Sequence, residues 1–190
     1  MATAKALTAT EIDRVLAYIH TQPYAPRNRA MFLFTILSGC RVSELAGLTL
    51  ADVQNTDGTI KGEMFLAAHR VKHNHARTVF ISKRLQAELA DYIASRTWLT
   101  TDMPLFATRK GARHAFSANM LAQHFHYMYR RALVFGASSH SGRKTFITSL
   151  ASQGVSVFVL ASLAGHRQIS TTQKYVTTND DMKRRAVELV

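Results

Sequence analysis

The stretch HSGRKTFITSL, residues 140–150, places a histidine and an arginine three positions apart at what reads as the start of a helix. Positions i and i+3 share one face of an α-helix, so His140 and Arg143 are expected to project together. Such a pair suits a phosphate and equally suits a solvated surface, and the rest of the chain has to decide between the two. Outward from this point the texture is helical. GRKTFITSLASQG ends at Gly154, VSVFVLASLAG ends at Gly165, and SANMLAQHFHYMYRRAL, residues 117–133, precedes them as another helix.

The N-terminal half begins in the same way. LTATEIDRVLAYI offers Thr8 or Thr10 as an N-cap, with Ile12, Val15, Leu16 and Ile19 at helical spacing. Pro23 and Pro26 punctuate a loop. A second helix through Leu37 stops at SGCR, where Gly39 suits a left-handed C-terminal turn, and VSELAGL makes another short helical turn. From Asn55 the pattern changes: NTDGT is turn chemistry, and EMFLAAHRV and ARTVFIS are strand-like runs separated by the polar KHNH. They predict a small antiparallel sheet with Lys72 near its hairpin tip. Helical patterning returns in RLQAELADYIAS, and DDMKRRAVELV closes the chain with acidic residues in its first turn, favourable against the helix dipole. The fold class expected is mainly α with a small antiparallel β-sheet, α+β.

With 190 residues and 47% of them hydrophobic, the chain has the length and the core of one ordinary domain, or of one domain with a small appendage. Against 12 Asp and Glu stand 24 Lys and Arg, a formal net charge of +12. Nucleic acid is the first partner to consider, although ribosome-associated proteins, membrane-surface binders and simply soluble chains share such an excess. Cys40 is the single cysteine, which excludes an intramolecular disulfide and fits a reducing setting. The N-terminal MATAKALTATEIDRVL lacks the continuous apolar core of a signal peptide. AMFLFTIL, residues 30–37, is far short of the roughly 20 residues that span a bilayer and reads as a buried helix.

Five basic residues fall just beyond or between these elements: Arg41, Lys72, His140, Arg143 and His166, with Tyr175 following. Singly, each has an ordinary explanation. Most surface cations are solvated, and Tyr175 in TTQKYV reads as well as a half-buried aromatic with its hydroxyl in water. His69, His73 and His75 raise a metal site, but no carboxylate or cysteine sits near them, so metal is the weak reading.

Taken in order, SGCRVSEL, VKHNHARTV, HSGRKTF and LAGHRQISTTQKYV resemble the active-site boxes of the tyrosine recombinase (phage integrase) family, from about Leu7 to Tyr175. The resemblance implies that family's catalytic-domain fold and a site-specific DNA recombinase that cleaves and rejoins duplex DNA through a covalent 3′-phosphotyrosyl intermediate. It implies Arg41, Lys72, His140, Arg143, His166 and Tyr175 as catalytic residues, Tyr175 being the nucleophile, with Glu44 in support. Arg70 competes with Lys72, because KHNHAR stands where the family usually has a glycine-rich turn. Arg70, Arg77, Asn119, Gln123, Arg130 and Lys144 are the expected DNA contacts, and Cys40 reads as a small packing residue.

The chemistry explains why these residue types are wanted. A tyrosine hydroxyl, with a reference pKa of about 10, must lose a proton as it attacks, and a histidine of about 6.5 can take it; His140 is that base. Charge gathers on the non-bridging oxygens of the attacked phosphate, which suits the planar forks of Arg41 and Arg143, with His166 as a further donor. Lys72 would protonate the leaving 5′ oxygen. Neither metal nor ATP is implied, since guanidiniums carry the charge and a phosphodiester is exchanged for a phosphotyrosyl bond of similar energy.

Most family members carry a helical core-binding domain before the catalytic one. Here the expectation is a single catalytic domain over residues 1–190 without it, as in a cut piece or in the short fimbrial phase-switch recombinases. The tail from about residue 176 has an apolar set, Met182, Ala186, Val187, Leu189 and Val190, suited either to docking on a neighbouring protomer or to folding back. The partners implied are duplex DNA, further protomers in a tetrameric synapse and accessory DNA-bending proteins, with no membrane. The free chain can be monomeric, in a cytoplasmic, nucleoid-associated setting encoded by a bacterium, phage or plasmid. Two other readings stay open: relaxation of supercoils like that of a type IB topoisomerase, and a non-catalytic DNA-binding regulator of a recombinase.

Overall fold

Thr8 starts the first helix. Its hydroxyl accepts from the Glu11 N–H at 3.2 Å while the Glu11 carboxylate accepts from the Thr8 N–H at 3.0 Å, a reciprocal cap that satisfies two backbone donors. α1 (Ala9–His20) follows and buries Val15 and Ile19. The structure, a computed structural model, describes residues 4–68, 76–96, 100–108, 113–176 and 180–188.

α2 (Ala25–Ser38) is the centre of the molecule, packed against α1 and, further along the chain, against α5 (Lys83–Ala94) and α7 (Ser141–Ser152). It buries Ala30 through Thr35 without a break, which is why its sequence is a continuous apolar run and not a stripe. Pro26 belongs to its first turn, where a missing N–H removes no helical hydrogen bond, and not to the loop expected from the sequence. Gly39 ends α2 with φ +66°, and a Cβ there would stand 2.5 Å from Phe146 Cδ1.

The chain then forms α3 (Val42–Ala46), α4 (Leu50–Val53) and an antiparallel pair, β1 (Glu63–Leu66) and β2 (Arg77–Phe80), with Glu63 opposite Phe80 and Leu66 opposite Arg77. Met64, Leu66 and Val79 face the core; Phe65 and Phe80 face out. The hairpin tip expected around Lys72, together with Arg70, His69, His73 and His75, lies outside the described residues. After α5 come α6 (Ala118–Arg131), α7, α8 (Val157–Ala164), α9 (Ile169–Gln173) and α10 (Asp180–Val187). Aromatic contacts knit the core: Phe106 stacks on Tyr92 at 5.4 Å between centroids and meets Phe34 edge-on at 6.4 Å. Mainly α with a two-stranded antiparallel sheet is therefore the observed class, while α4 and α9 are additions that the sequence pattern had not marked. Among the described residues no helix is long and apolar enough to cross a membrane.

Candidate active site

Glu44 is the organising residue. It lies on α3, 2% exposed, and its two oxygens serve two arginines. Oε1 accepts from Arg41 Nη1 at 2.7 Å; Oε2 accepts from the Arg41 backbone N–H at 2.8 Å and from Arg77 Nη2 at 2.8 Å. Burial would raise this carboxyl, but the charge and hydrogen bond of Arg77, followed by those of Arg41, hold it below the usual carboxylate range. A buried carboxylate between two guanidiniums stays ionised.

Arg41, the residue just before α3, keeps part of its surface open and directs Nη2 toward the Gly165 carbonyl at 3.4 Å. Arg143, on the first turn of α7, is buried; Nη1 donates to the Gly39 carbonyl at 2.8 Å and Nη2 to the Ala164 carbonyl. The ends of α2 and α8 are thus bound to the arginines that lie between them, because each helix leaves its last carbonyls without intrahelical partners. Burial, followed by the charges of Arg41 and Arg77, pushes the Arg143 guanidinium down to about 10, so it remains protonated at neutral pH.

Gly165 ends α8 in a left-handed turn, φ +63°, and delivers His166 next to this cluster. His166 Nδ1 is 2.8 Å from the hydroxyl of Thr172, a fully buried residue of α9. Half-burial and then the charges of Arg143, Arg41 and Arg77 push the imidazole down to about 4, so it is neutral at physiological pH. α9 turns the chain back so that the half-buried Tyr175 lays its ring on His166, 6.2 Å between centroids and 20° between planes. Lys144 Nζ stands 5.8 Å from the centre of the Tyr175 ring. An open cleft of about 530 Å³ adjoins the site between β2 and α8, lined by residues that include Arg77, Phe80, Ser162, His166 and Arg167.

Of the residues picked from sequence, Arg41, Glu44, Arg143, His166 and Tyr175 thus meet in one place, and Lys144 faces the last of them. His140 is the exposed N-cap residue of α7, one turn before Arg143. Asn119, Gln123 and Arg130 are all exposed along α6, and His126 is exposed among them at the same helical spacing. Arg77 requires a correction. Expected as a DNA contact, it is 9% exposed, with its guanidinium held by Glu44, Cys40 and the Leu163 carbonyl. Thr172 was also missed, since a threonine in ISTTQ carries no signal until α9 folds beneath His166. Lys72 and Arg70 lie outside the described residues.

The family described as the phage integrase family matches residues 5–182. The chain belongs to that family, and its fold is that of the tyrosine recombinase catalytic domains. It is 30% identical over 177 residues to tyrosine recombinase XerC of Pelobacter propionicus, covering 90% of this chain and 55% of that protein. With tyrosine recombinase XerA of Pyrococcus furiosus it shares 27% identity over 185 residues, 97% of this chain and 61% of the other. Among solved structures, that of XerA recombinase superimposes with a TM-score of 0.74 at 22% identity, over all of this chain and 64% of that one. A post-cleavage complex of XerH site-specific recombinase with palindromic difH superimposes with a TM-score of 0.70 at 18% identity, covering 96% of this chain and 51% of the other. The chain spans about half to three-fifths of the length of the curated relatives it matches.

Proposed function

We propose that this chain acts as the catalytic domain of a site-specific DNA recombinase, cleaving and rejoining duplex DNA through a tyrosyl phosphodiester. The observation that carries the proposal is the stacking of Tyr175 on His166 beside carbonyls that bind Arg41 and Arg143. A nucleophile, a neutral donor and two fixed cations converge where a scissile phosphate would sit.

In the proposed step the Tyr175 oxygen bonds to phosphorus, its proton passing to His140, and the bond from phosphorus to the 5′ oxygen breaks. Lys72 supplies the proton that the leaving oxygen takes. The products are a 3′-phosphotyrosyl and a free 5′ hydroxyl, and a second 5′ hydroxyl reverses the chemistry. Arg41 and Arg143 hold the non-bridging oxygens as charge gathers there. In the tautomer in which the Thr172 hydroxyl donates to Nδ1, the His166 ring proton sits on Nε2 and is available to the same oxygens. The guanidiniums supply the charge that a metal ion supplies in other phosphoryl transfers.

Duplex DNA is the partner. A charge of +12 supports this, as does the exposed row of Asn119, Gln123, His126 and Arg130 on α6, with Arg70 and Lys144 as further contacts. Residues 1–190 form one catalytic domain on this reading. Assembly with further protomers on DNA draws support from α10, whose described side chains, Asp180, Lys183, Arg184, Ala186 and Val187, are all exposed. A cytoplasmic, nucleoid-associated setting fits such a partner.

The test is covalent trapping. Protein and Tyr175→Phe are incubated with fragmented DNA of the source genome, denatured in detergent, and the DNA that stays attached is sequenced. Attachment to recurrent sites by the unaltered protein alone is expected. Salt-sensitive DNA binding with no attachment under any condition would leave a non-catalytic DNA-binding regulator in place of the enzyme.

A further inference from the structure

Arg77 is the third guanidinium of the site, and no step of the proposed reaction uses it. It opens β2, the return limb of the hairpin, and crosses to two other elements. Nη1 donates to the Leu163 carbonyl near the end of α8 at 2.7 Å, and Nη2 donates to Glu44 Oε2 on α3 at 2.8 Å and lies 3.7 Å from Cys40 Sγ. Its aliphatic stem runs over Gly165: a Cβ at that position would stand 2.6 Å from Arg77 Cδ, so the glycine that turns the chain toward His166 also makes room for the arginine.

We infer that Arg77 is a positioning residue for the cleavage step, acting through Glu44 on Arg41 and through the end of α8 on His166. This rests on the recombinase reading above. Two physical effects make the inference. The first is charge. Glu44 is a buried carboxylate paired with both Arg41 and Arg77; without Arg77 its whole negative charge would fall on Arg41, whose guanidinium would then be held more tightly and would present less positive potential to a phosphate. The second is register. Arg77 binds Leu163 O, Arg143 binds Ala164 O and Arg41 approaches Gly165 O, so three successive carbonyls ahead of His166 are held by three arginines from β2, α7 and the start of α3. Removing one of the three lets the turn that carries His166 shift, and catalytic geometry is sensitive to small displacements.

A direct DNA contact would leave a different signature. Arg77 is buried with its charge paired to the Glu44 carboxylate, whereas Arg143, equally buried, donates to carbonyls and keeps its charge for a phosphate, so the loss of Arg77 should act on the rate of chemistry and not on affinity. The experiment compares the unaltered chain with Arg77→Met and Arg77→Lys on a DNA site recovered by trapping. It measures DNA affinity, single-turnover cleavage at saturating protein, and the slowing caused by one sulfur in place of a non-bridging oxygen of the scissile phosphate. For Arg77→Met we expect affinity within about two-fold, cleavage slower by about ten-fold or more, and a smaller sulfur effect, because a misplaced Arg41 has less grip on that oxygen to lose. A fold that is merely less stable lowers the fraction of DNA cleaved and leaves both the rate constant and the sulfur effect alone.

Arg77→Lys keeps the charge but cannot span Glu44 and Leu163 O together, and is expected to cleave at an intermediate rate. It replaces Arg77→Met in the comparison if the latter does not fold. Cleavage by the folded variant at the unaltered rate, or weaker binding with a normal rate at saturation, would overturn the inference while leaving the recombinase reading intact. An unaltered chain that never attaches to DNA would overturn both.

Discussion

Thr35 occupies the space that a side chain on Gly142 would need: a Cβ built on Gly142 would lie 2.0 Å from Thr35 Oγ1 and 2.7 Å from Thr35 Cβ. The contact belongs to the crossing of α2 and α7, and it sets how near Arg143 comes to the Gly39 carbonyl. Only hydrogen at Gly142 permits that approach.

Gly142→Ala is therefore expected to destabilise the fold by about 1–3 kcal/mol, the usual penalty for forcing a methyl into a packed helix crossing. Gly142 also follows the buried Ser141 at the start of α7, so relief by local shift would displace Arg143. Urea unfolding measures the loss. A midpoint equal to that of the unaltered protein would mean that the two helices separate without strain.

Glu44→Gln tests the organising carboxylate. The substitution keeps shape and removes the negative charge set among Arg41, Arg77 and Arg143. Breaking a buried ion pair by deleting one partner typically removes about 3–5 kcal/mol, because the remaining charge is left buried without compensation. Urea unfolding should register a loss of that order, and an unchanged midpoint would show that the guanidiniums reach solvent more easily than their burial implies.

How much of this was legible beforehand depends on the range of the interaction. The first cap was legible as a choice between Thr8 and Thr10, which the structure resolves to Thr8 with Glu11, and Gly39 and Gly165 mark the ends of α2 and α8 because the left-handed turn excludes most side chains. The residues that meet at the site were legible through local boxes: Arg41 with Glu44, Arg143 after His140, His166 ahead of Tyr175. The place of Arg77 in the cluster was not legible, because its partner Glu44 stands 33 positions earlier and nothing local to RTVF points to it. α9 escaped because ISTTQ is only five residues long and carries no apolar period, yet it is what folds Tyr175 back onto His166.

Cys40 adjoins Arg41 and touches Arg77, and burial pushes its thiol up to about 11. The thiolate, which is the reactive form, is thus scarce in the native protein even though cations surround it. Iodoacetamide at pH 8 is expected to leave native Cys40 unmodified and to alkylate it once urea unfolds the chain, as read by intact mass. Rapid native labelling would mean that the arginine cluster opens to solvent.

The last prediction concerns pH. Burial and then neighbouring arginines push two imidazoles down to about 4: His166, beside Arg143, Arg41 and Arg77, and His124, which packs on Asn28 with Arg27 close by. In the unfolded chain both return to about 6.5. Between those values the unfolded state binds protons at these two positions and the folded state does not, so acid favours unfolding. Stability is fully present above about pH 6.5 and falls as the pH drops toward 4. The carboxyl of Glu44, held below its usual range, adds its own loss only in the more acidic window below its unfolded value of about 4.3, so the range from pH 7.5 to 5 isolates the imidazoles. Thermal midpoints should decline across that range. His124→Gln, which cannot take up a proton, should flatten the decline in part, leaving the share due to His166. A midpoint independent of pH between 7.5 and 5 would mean that both rings stay open to water, and with them the site that His166 shares with Tyr175.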